Sequence, residues 1–300
     1  MFRKVQRFIK DPYRTLGYSL IESHPHWMSD KHYLSILWEM VMGYPIDWKH
    51  PKTFNEKLQW LKLYDRNPLY TTLVDKYRMK QWVADRIGEK YIIPTLSIFD
   101  SVDKIDSDTL PDRYVLKCNH DSGSVFICRD KSTFNLNVAK QKLGDALQKN
   151  FYWEAREWPY KDVNRCVFAE AYLGSDLQDY RVYCFNGEPK IVYSYTNVSE
   201  IDNSKPEPSY CDIFDTSWTP LPFRQMSKPR GSIPPPLHLK EMLECSRILS
   251  KGIPFVRVDF YDNGQPLIGE LTLFPGGGLS RFHPSEWDAK LGTWLNLPTP

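Results

Sequence analysis

Three pairs of short alternating runs, each closed by tight-turn residues, constrain this 300-residue chain more than any other feature. RYVLKCN and SVFICRD are joined by HDSG. DYRVYCF and EPKIVYSYTN are joined through Asn186-Gly187, and FVRVDFYD and QPLIGELTLF through a turn at Asp262-Asn263-Gly264. Alternation with a period of two marks half-buried strands, and Asn-Gly suits a two-residue turn with positive φ. Strands joined in this way run antiparallel. IIPTLSIF and CVFAEAYL read as further strands, and helical stretches fall between the pairs. An α+β fold with antiparallel sheets is therefore expected, not a doubly wound parallel sheet.

Helical patterns cover about residues 31–42, 54–63, 70–87, 137–149 and 237–252. Thr53 followed by Glu56 predicts a capping box that opens the second of these, and Gly88 a stop to the third. Residues 204–236 are polar and proline-rich and are expected to be irregular, and SRFHPSEWDAKLG reads as part of a tail. The opening MFRKVQRFIK places Phe2, Val5, Phe8 and Ile9 at helical spacing among Arg3, Lys4, Arg7 and Lys10. Such a helix can lie on an anionic membrane surface, or pack on the body with its basic face solvated.

Composition excludes several classes. A net charge of +2 is too weak to indicate nucleic acid. Cys118, Cys128, Cys166, Cys184, Cys211 and Cys245 form no CxxC pair and read as reduced thiols, which points to the cytoplasm. No apolar run approaches a membrane span, and the start lacks the apolar region of a signal peptide. GxxxxGK[ST] is absent, and no GxGxxG opens a helix after a strand. Aromatics at 14% suit stacking on sugars or bases as well as ordinary core packing.

The last hairpin carries acids where a half-buried strand favours apolar residues. Arg257 and Asp259 share one strand face, and Glu270 and Thr272 share a face of the return strand. A regular register puts Glu270 near Arg257, with Asp259 a diagonal neighbour at about 7–8 Å. Two carboxylates there can share a small divalent cation such as magnesium, a hard ion that takes one or two carboxylates. The same residues also suit a solvated hairpin in which Arg257 is a salt-bridge partner.

Taken in order, DKYR at Asp75–Arg78, YVLK ending at Lys117, EAYL at Glu170–Leu173, DYRV from Asp179, RVD at Arg257–Asp259 and GELTLFPG from Gly269 resemble the ATP-grasp superfamily. PKTFNEKLQWLKLYDRNP and GELTLFPGGG narrow the resemblance to its TupA-like branch, associated with teichuronopeptide and other bacterial surface-polysaccharide synthesis. The resemblance implies two α+β lobes with antiparallel sheets sandwiching ATP, after an N-terminal helical extension. The expected divisions are 1–70, 71–168 and 169–300. It also implies an ATP-dependent carboxylate–amine ligase working through an acyl phosphate, with magnesium. Lys76 and Lys117 would hold phosphates, and the His120–Ser124 loop, with Ser122, Gly123 and Ser124, would close over them. Glu170, Ala171, Tyr172 and Leu173 would lie at the adenine, and Asp179 at the ribose. Asp259, Glu270 and Thr272 would hold the metal, Thr272 standing where many of these ligases have Asn. Arg257 and Arg181 would stabilise the transferring phosphoryl group.

The association with surface glycans suggests a sugar carboxylate, such as a uronic acid, joined to an amine. Arg281 and His283, just past the glycine turn, are candidates to clamp that carboxylate. A lipid-linked acceptor would give the basic N-terminal helix a role at the inner membrane face. A kinase of a sugar hydroxyl on the same fold and a non-catalytic glycan-binding protein remain as alternatives.

Overall fold

The computed structural model describes residues 23–175, 177–196, 210–225, 227–231 and 233–298. The basic amphipathic start lies outside the described residues. No helix among the described residues is long and apolar enough to cross a membrane.

Two antiparallel sheets organise the chain. The smaller has the order β1-β4-β2-β3, built from β1 (Thr95–Phe99), β2 (Tyr114–Cys118), β3 (Val125–Cys128) and β4 (Val167–Ala171). The β2–β3 hairpin pairs Tyr114 with Cys128 and Lys117 with Val125. β4 lies between β1 and β2, so Glu170 faces Thr95 on one side and Val115 on the other. β4 also straddles the division expected between 168 and 169. Helix α5 (Leu136–Gln148) covers this sheet, burying Leu143 and Ala146 against Leu116, Cys118 and Val167.

The larger sheet has the order β7-β6-β5-β8-β9. Its strands are β5 (Gln178–Phe185), β6 (Glu188–Thr196), β7 (Tyr210–Asp215), β8 (Phe255–Asp262) and β9 (Pro266–Thr272). Helix α7 (Leu239–Ser250) covers one face with Met242, Cys245 and Leu249. Val256, Val258 and Phe260 are buried on β8, and their alternate neighbours Arg257, Asp259 and Tyr261 point to the opposite face. In register with those on β5 are Tyr183, Arg181 and Asp179. One face of the sheet is thus apolar core, and the other is ionic.

Among the described residues, four α-helices precede the first sheet. Helix α1 spans Asp30–Met42, and α2 spans Phe54–Tyr64 with the expected capping box between Thr53 and Glu56. The single helix expected over 70–87 is two, α3 (Leu69–Val74) and α4 (Met79–Ile87). Asp75 breaks them: its carboxylate accepts the N–H groups of Tyr77 and Arg78, both at 3.0 Å, and so offers the backbone a local alternative to the helix ladder. Lys76 falls in the break.

Three other expectations are corrected. Residues 204–236 contain β7, which pairs along β6 from Ile191↔Asp215 to Thr196↔Tyr210. Its alternation is short and framed by prolines, which hid it. The tail folds into α8 (Glu286–Trp294), preceded by α6 (Tyr152–Ala155) earlier in the chain. α8 buries Trp287 and Leu291 and packs on α2, where Lys57 Nζ donates to the carbonyls of Gly292 (2.8 Å) and Leu295 (2.6 Å). Finally, the β8–β9 register differs: Asp259 stands directly opposite Glu270 and Arg257 opposite Thr272. A bulge causes this, since Phe260 pairs with Ile268 and Gly269 is left as the extra residue. A Cβ on Gly269 would lie 2.8 Å from the Tyr261 ring, so only glycine lets that ring cross the bulge.

Thr53→Ala should remove half of the capping box and lower unfolding free energy by about 1 kcal/mol in urea denaturation.

Candidate active site

A cleft opens where the two sheets meet. Ile93, Val115, Val125, Ile127 and Leu177 give it apolar walls, and Lys76, Lys117 and Glu270 give it a charged end. Of the residues singled out in the sequence, Lys76, Lys117, Ser122, Gly123, Glu170, Ala171, Tyr172, Leu173 and Glu270 line it.

At the base of the cleft, Glu170 is buried and shared. Its two carboxylate oxygens lie 2.6 Å from Lys117 Nζ and 2.6 Å from Lys80 Nζ. Lys80 also donates to the Ile93 carbonyl at 2.8 Å and to Thr95 Oγ1 at 2.9 Å. Burial pushes Glu170 upward, but Lys117 and Lys80 outweigh it and leave its pKa below the usual range. Burial acts downward on both lysines. It prevails at Lys80, whereas Glu170 prevails at Lys117 and holds it above its ordinary value. One carboxylate between two ammonium groups leaves a net positive charge. Lys80 carries chemistry that the sequence reading missed. Its only signal was a lysine on the buried face of α4, between Met79 and Val83.

At the mouth, the loop His120–Ser124 is held at both ends. His120 Nε2 faces the carbonyls of Ala146 and Lys149, both at 3.2 Å, so that nitrogen carries the proton and anchors the loop to the end of α5. Lys76 Nζ donates to the Asp121 carbonyl and lies 3.7 Å from Glu270. It thereby ties the loop to the ionic face of the larger sheet. Ser124 donates to the Asp121 carboxylate and lines the cavity behind the loop, not the cleft.

On the ionic face, Arg257 Nε donates to Asp259 Oδ1 at 2.6 Å, and Nη2 donates to Asp259 Oδ2 and, at 2.9 Å, to Glu270 Oε1. Thr272 Oγ1 donates to Glu270 at 3.1 Å. Arg181 pairs with Asp179 at 2.7 Å, lies 3.8 Å from Asp259, and stacks 4.1 Å from the centre of the Tyr195 ring. Burial pushes Asp259 up to about 7, against the pull of Arg257 and Arg181. Burial acts on Glu270 in the same direction, but Lys76, Arg257 and Arg181 outweigh it and hold it at about 2. Each carboxylate has two cations within 4 Å, Lys76 and Arg257 at Glu270 and Arg257 and Arg181 at Asp259, and Glu270 is the more exposed of the two. The two acids and Thr272 form an oxygen-only donor set. It suits a hard cation that draws its remaining ligands from water and phosphate. Among the described residues no three His, Cys, Asp or Glu side chains are grouped to cage a metal alone.

Several expected residues stand elsewhere or are already engaged. The Ala171 N–H donates to the Pro94 carbonyl at 3.0 Å, because β4 runs on beside β1, so this donor does not face a base. Asp179 is bound to Arg181. Arg281 donates to the carbonyl of Val41 at the end of α1. His283 exchanges backbone hydrogen bonds with Arg224, at 2.8 and 2.9 Å, and lines a separate groove beside β7. Neither Arg281 nor His283 lines the cleft.

Residues 56–296 match the sequence model of the family described as TupA-like ATPgrasp. No curated protein matches the chain. Among solved structures, it is similar to D-alanine–D-alanine ligase from Bacillus anthracis complexed with ATP, at 16% identity and TM-score 0.38, over 67% of this chain and 54% of that one. It is also similar to L-amino acid ligase from Bacillus licheniformis, at 10% identity and TM-score 0.47, over 84% and 57%. A third is the biotin carboxylase domain of Hydrogenobacter thermophilus 2-oxoglutarate carboxylase, in complex with MgADP, ADP and bicarbonate, at 13% identity and TM-score 0.41, over 76% and 47%. The chain spans about half the length of these structures.

Lys80→Met leaves Glu170 buried with a single partner. Urea denaturation should show a loss of about 3 kcal/mol, the usual cost of breaking a buried ion pair from one side.

Proposed function

The chain belongs to the TupA-like ATP-grasp family, and on that premise we propose that it is an ATP- and magnesium-dependent ligase joining a carboxylate to an amine. The observation that carries this reading is the placement of Glu270 at the charged end of a cleft whose other walls are apolar, with Asp259 directly opposite it in register on β8.

Each part of the cleft has a role in it. The slot formed by Ile93, Val115, Val125, Ile127 and Leu177 takes the base, with backbone groups of Tyr172 and Leu173 at its edge. Lys76 and Lys117 meet the phosphates as point charges. Lys117 can do so because Lys80 shares the neutralisation of Glu170; a lone Glu170–Lys117 pair would present no net charge. Ser122 and Gly123 cover the phosphates from the loop. Asp259, Glu270 and Thr272 would hold magnesium, which when bound neutralises charge on phosphate oxygens. Arg257 and Arg181 stand beside those acids and stabilise charge on the transferring group.

The chemistry balances in two steps. An oxygen of the substrate carboxylate attacks the γ-phosphorus of ATP, its bond to the β-bridging oxygen breaks, and ADP leaves. The amine then attacks the acyl carbon of the resulting acyl phosphate, phosphate departs, and the nitrogen loses a proton. The family's association with teichuronopeptide synthesis makes a uronic acid the carboxylate of first choice. With Arg281 and His283 outside the cleft, Arg181, beside Asp259 and about a quarter exposed, is the candidate to meet an incoming carboxylate.

The test is incubation with Mg-ATP, D-glucuronate and a panel of amino acids and ethanolamine, with mass spectrometry of the products. A ligase releases ADP and phosphate and yields an amide. Phosphate retained on the sugar would identify a kinase, and absence of Mg-ATP binding would leave a non-catalytic protein. Asp259→Asn and Glu270→Gln should each abolish magnesium-dependent ADP release while preserving the circular dichroism spectrum. Turnover at the wild-type rate in either variant would remove the metal assignment.

A further inference from the structure

Helix α2 buries a polar stripe where a helix of a globular protein ordinarily buries an apolar one. Asn55, Gln59 and Lys62 are spaced by four and three residues, so they share one face, and all are almost wholly buried. Burying amides and an ammonium is unfavourable unless they are hydrogen-bonded. Here the acceptors are concentrated in one place, the glycine turn that follows β9. Asn55 Nδ2 donates to the Ser280 carbonyl at 2.8 Å. Gln59 Nε2 donates to the carbonyls of Gly277 at 2.9 Å and Gly278 at 2.8 Å. Lys62 Nζ donates to the Gly277 carbonyl at 2.7 Å, the Ala155 carbonyl at 2.9 Å and Gln59 Oε1 at 3.1 Å. Burial draws Lys62 down to about 8, with Glu157 pulling the other way, and the three acceptors around Nζ match the three N–H donors of an ammonium.

The turn is shaped to receive this stripe. Gly276, Gly277 and Gly278 all have left-handed φ, between 59° and 64°. A Cβ on Gly278 would lie 2.6 Å from Gln59 Nε2 and 3.0 Å from Leu58 Cβ. The turn also lies beyond the nucleotide cleft. Along β9 the cleft lining ends at Glu270, and the chain continues through Thr272 to Pro275. Lys62 ties the same turn to Ala155, at the head of the segment that carries Glu157 and Tyr160. Burial and then the charges of Glu157 and Glu270 raise the Tyr160 pKa.

We propose that Asn55, Gln59 and Lys62 are positioning residues, through which α2 holds the glycine turn and the Ala155–Tyr160 segment in place around the acceptor end of the active site. This rests on the ligase reading. A well-packed apolar face would hold α2 at least as firmly, but it would not engage the carbonyls of the turn individually.

The test uses full-length protein with Lys62→Met and with Gln59→Glu, which keeps the side-chain size but turns the amide donor into an acceptor beside the Lys62 ammonium. Three readouts are Mg-ATP affinity by calorimetry, ADP release with D-glucuronate and the amine panel, and amide hydrogen exchange at 274–280. Positioning predicts unchanged affinity and unchanged KM for ATP. It also predicts faster exchange confined to the turn, and a kcat lowered by about 10- to 100-fold, as a misplacement of about 1 Å can cause. Wild-type kcat in Gln59→Glu, parallel loss of Mg-ATP affinity and turnover, or failure of both variants to fold would each overturn it. If the wild type binds no Mg-ATP, the ligase reading fails instead. In that case, or if no ADP is released with these probes, exchange at 274–280 alone decides, and unchanged exchange in a folded Gln59→Glu counts against the positioning role.

Discussion

Arg257 donates to both Asp259 and Glu270, and that shared guanidinium is what allows a buried and a half-buried carboxylate to face each other across a β-ribbon. Without it the pair would meet as like charges in a medium that screens poorly. The arrangement depends on the sheet beneath. One face of β8 supplies Val256, Val258 and Phe260 to the core under α7, so the other face is free to carry ions at fixed spacing. The bulge at Gly269 then aligns Glu270 with Asp259. Rigid apolar packing on one side of the strand sets the geometry of the charges on the other.

A second shared charge does comparable work in the smaller sheet. Glu170 sits on a central strand with a lysine at each oxygen, one from β2 and one from α4. That joins the helix following Lys76 to the strand carrying Lys117, and it keeps a surplus of positive charge at the cleft. Lys76 closes the circuit by reaching both the Asp121 carbonyl and Glu270, so the two sheets are linked through the groups that would meet phosphate.

Much of the architecture was legible because it depends on local pattern. The strand pairs around Asn186-Gly187 and Asp262-Asn263-Gly264 form as the turn chemistry requires, and Thr53 with Glu56 forms its capping box. Less local features were not legible. Asp75 interrupts a helical pattern by capturing two N–H groups, a competition that propensity alone does not resolve. β7 shows itself only once β6 offers an edge to pair with. Lys80 and Lys62 carry no signal of their partners in the sequence, since nothing in their neighbours announces that Glu170 or the Gly277 carbonyl will be within reach.

The chain's own order of residues determined which chemistry was at hand: acids on a hairpin, lysines at a strand end and a helix start, and a glycine turn after them. Tertiary structure decided which of these meet. The register of Asp259 against Glu270 turns on one extra residue, and the burial of Lys80 depends on β4 being inserted between β1 and β2. Arg281 and His283, adjacent to the site in sequence, are drawn away by Val41 and Arg224. Alternation and turn preference act over a few residues, whereas a charge is placed by whatever the rest of the chain packs against it.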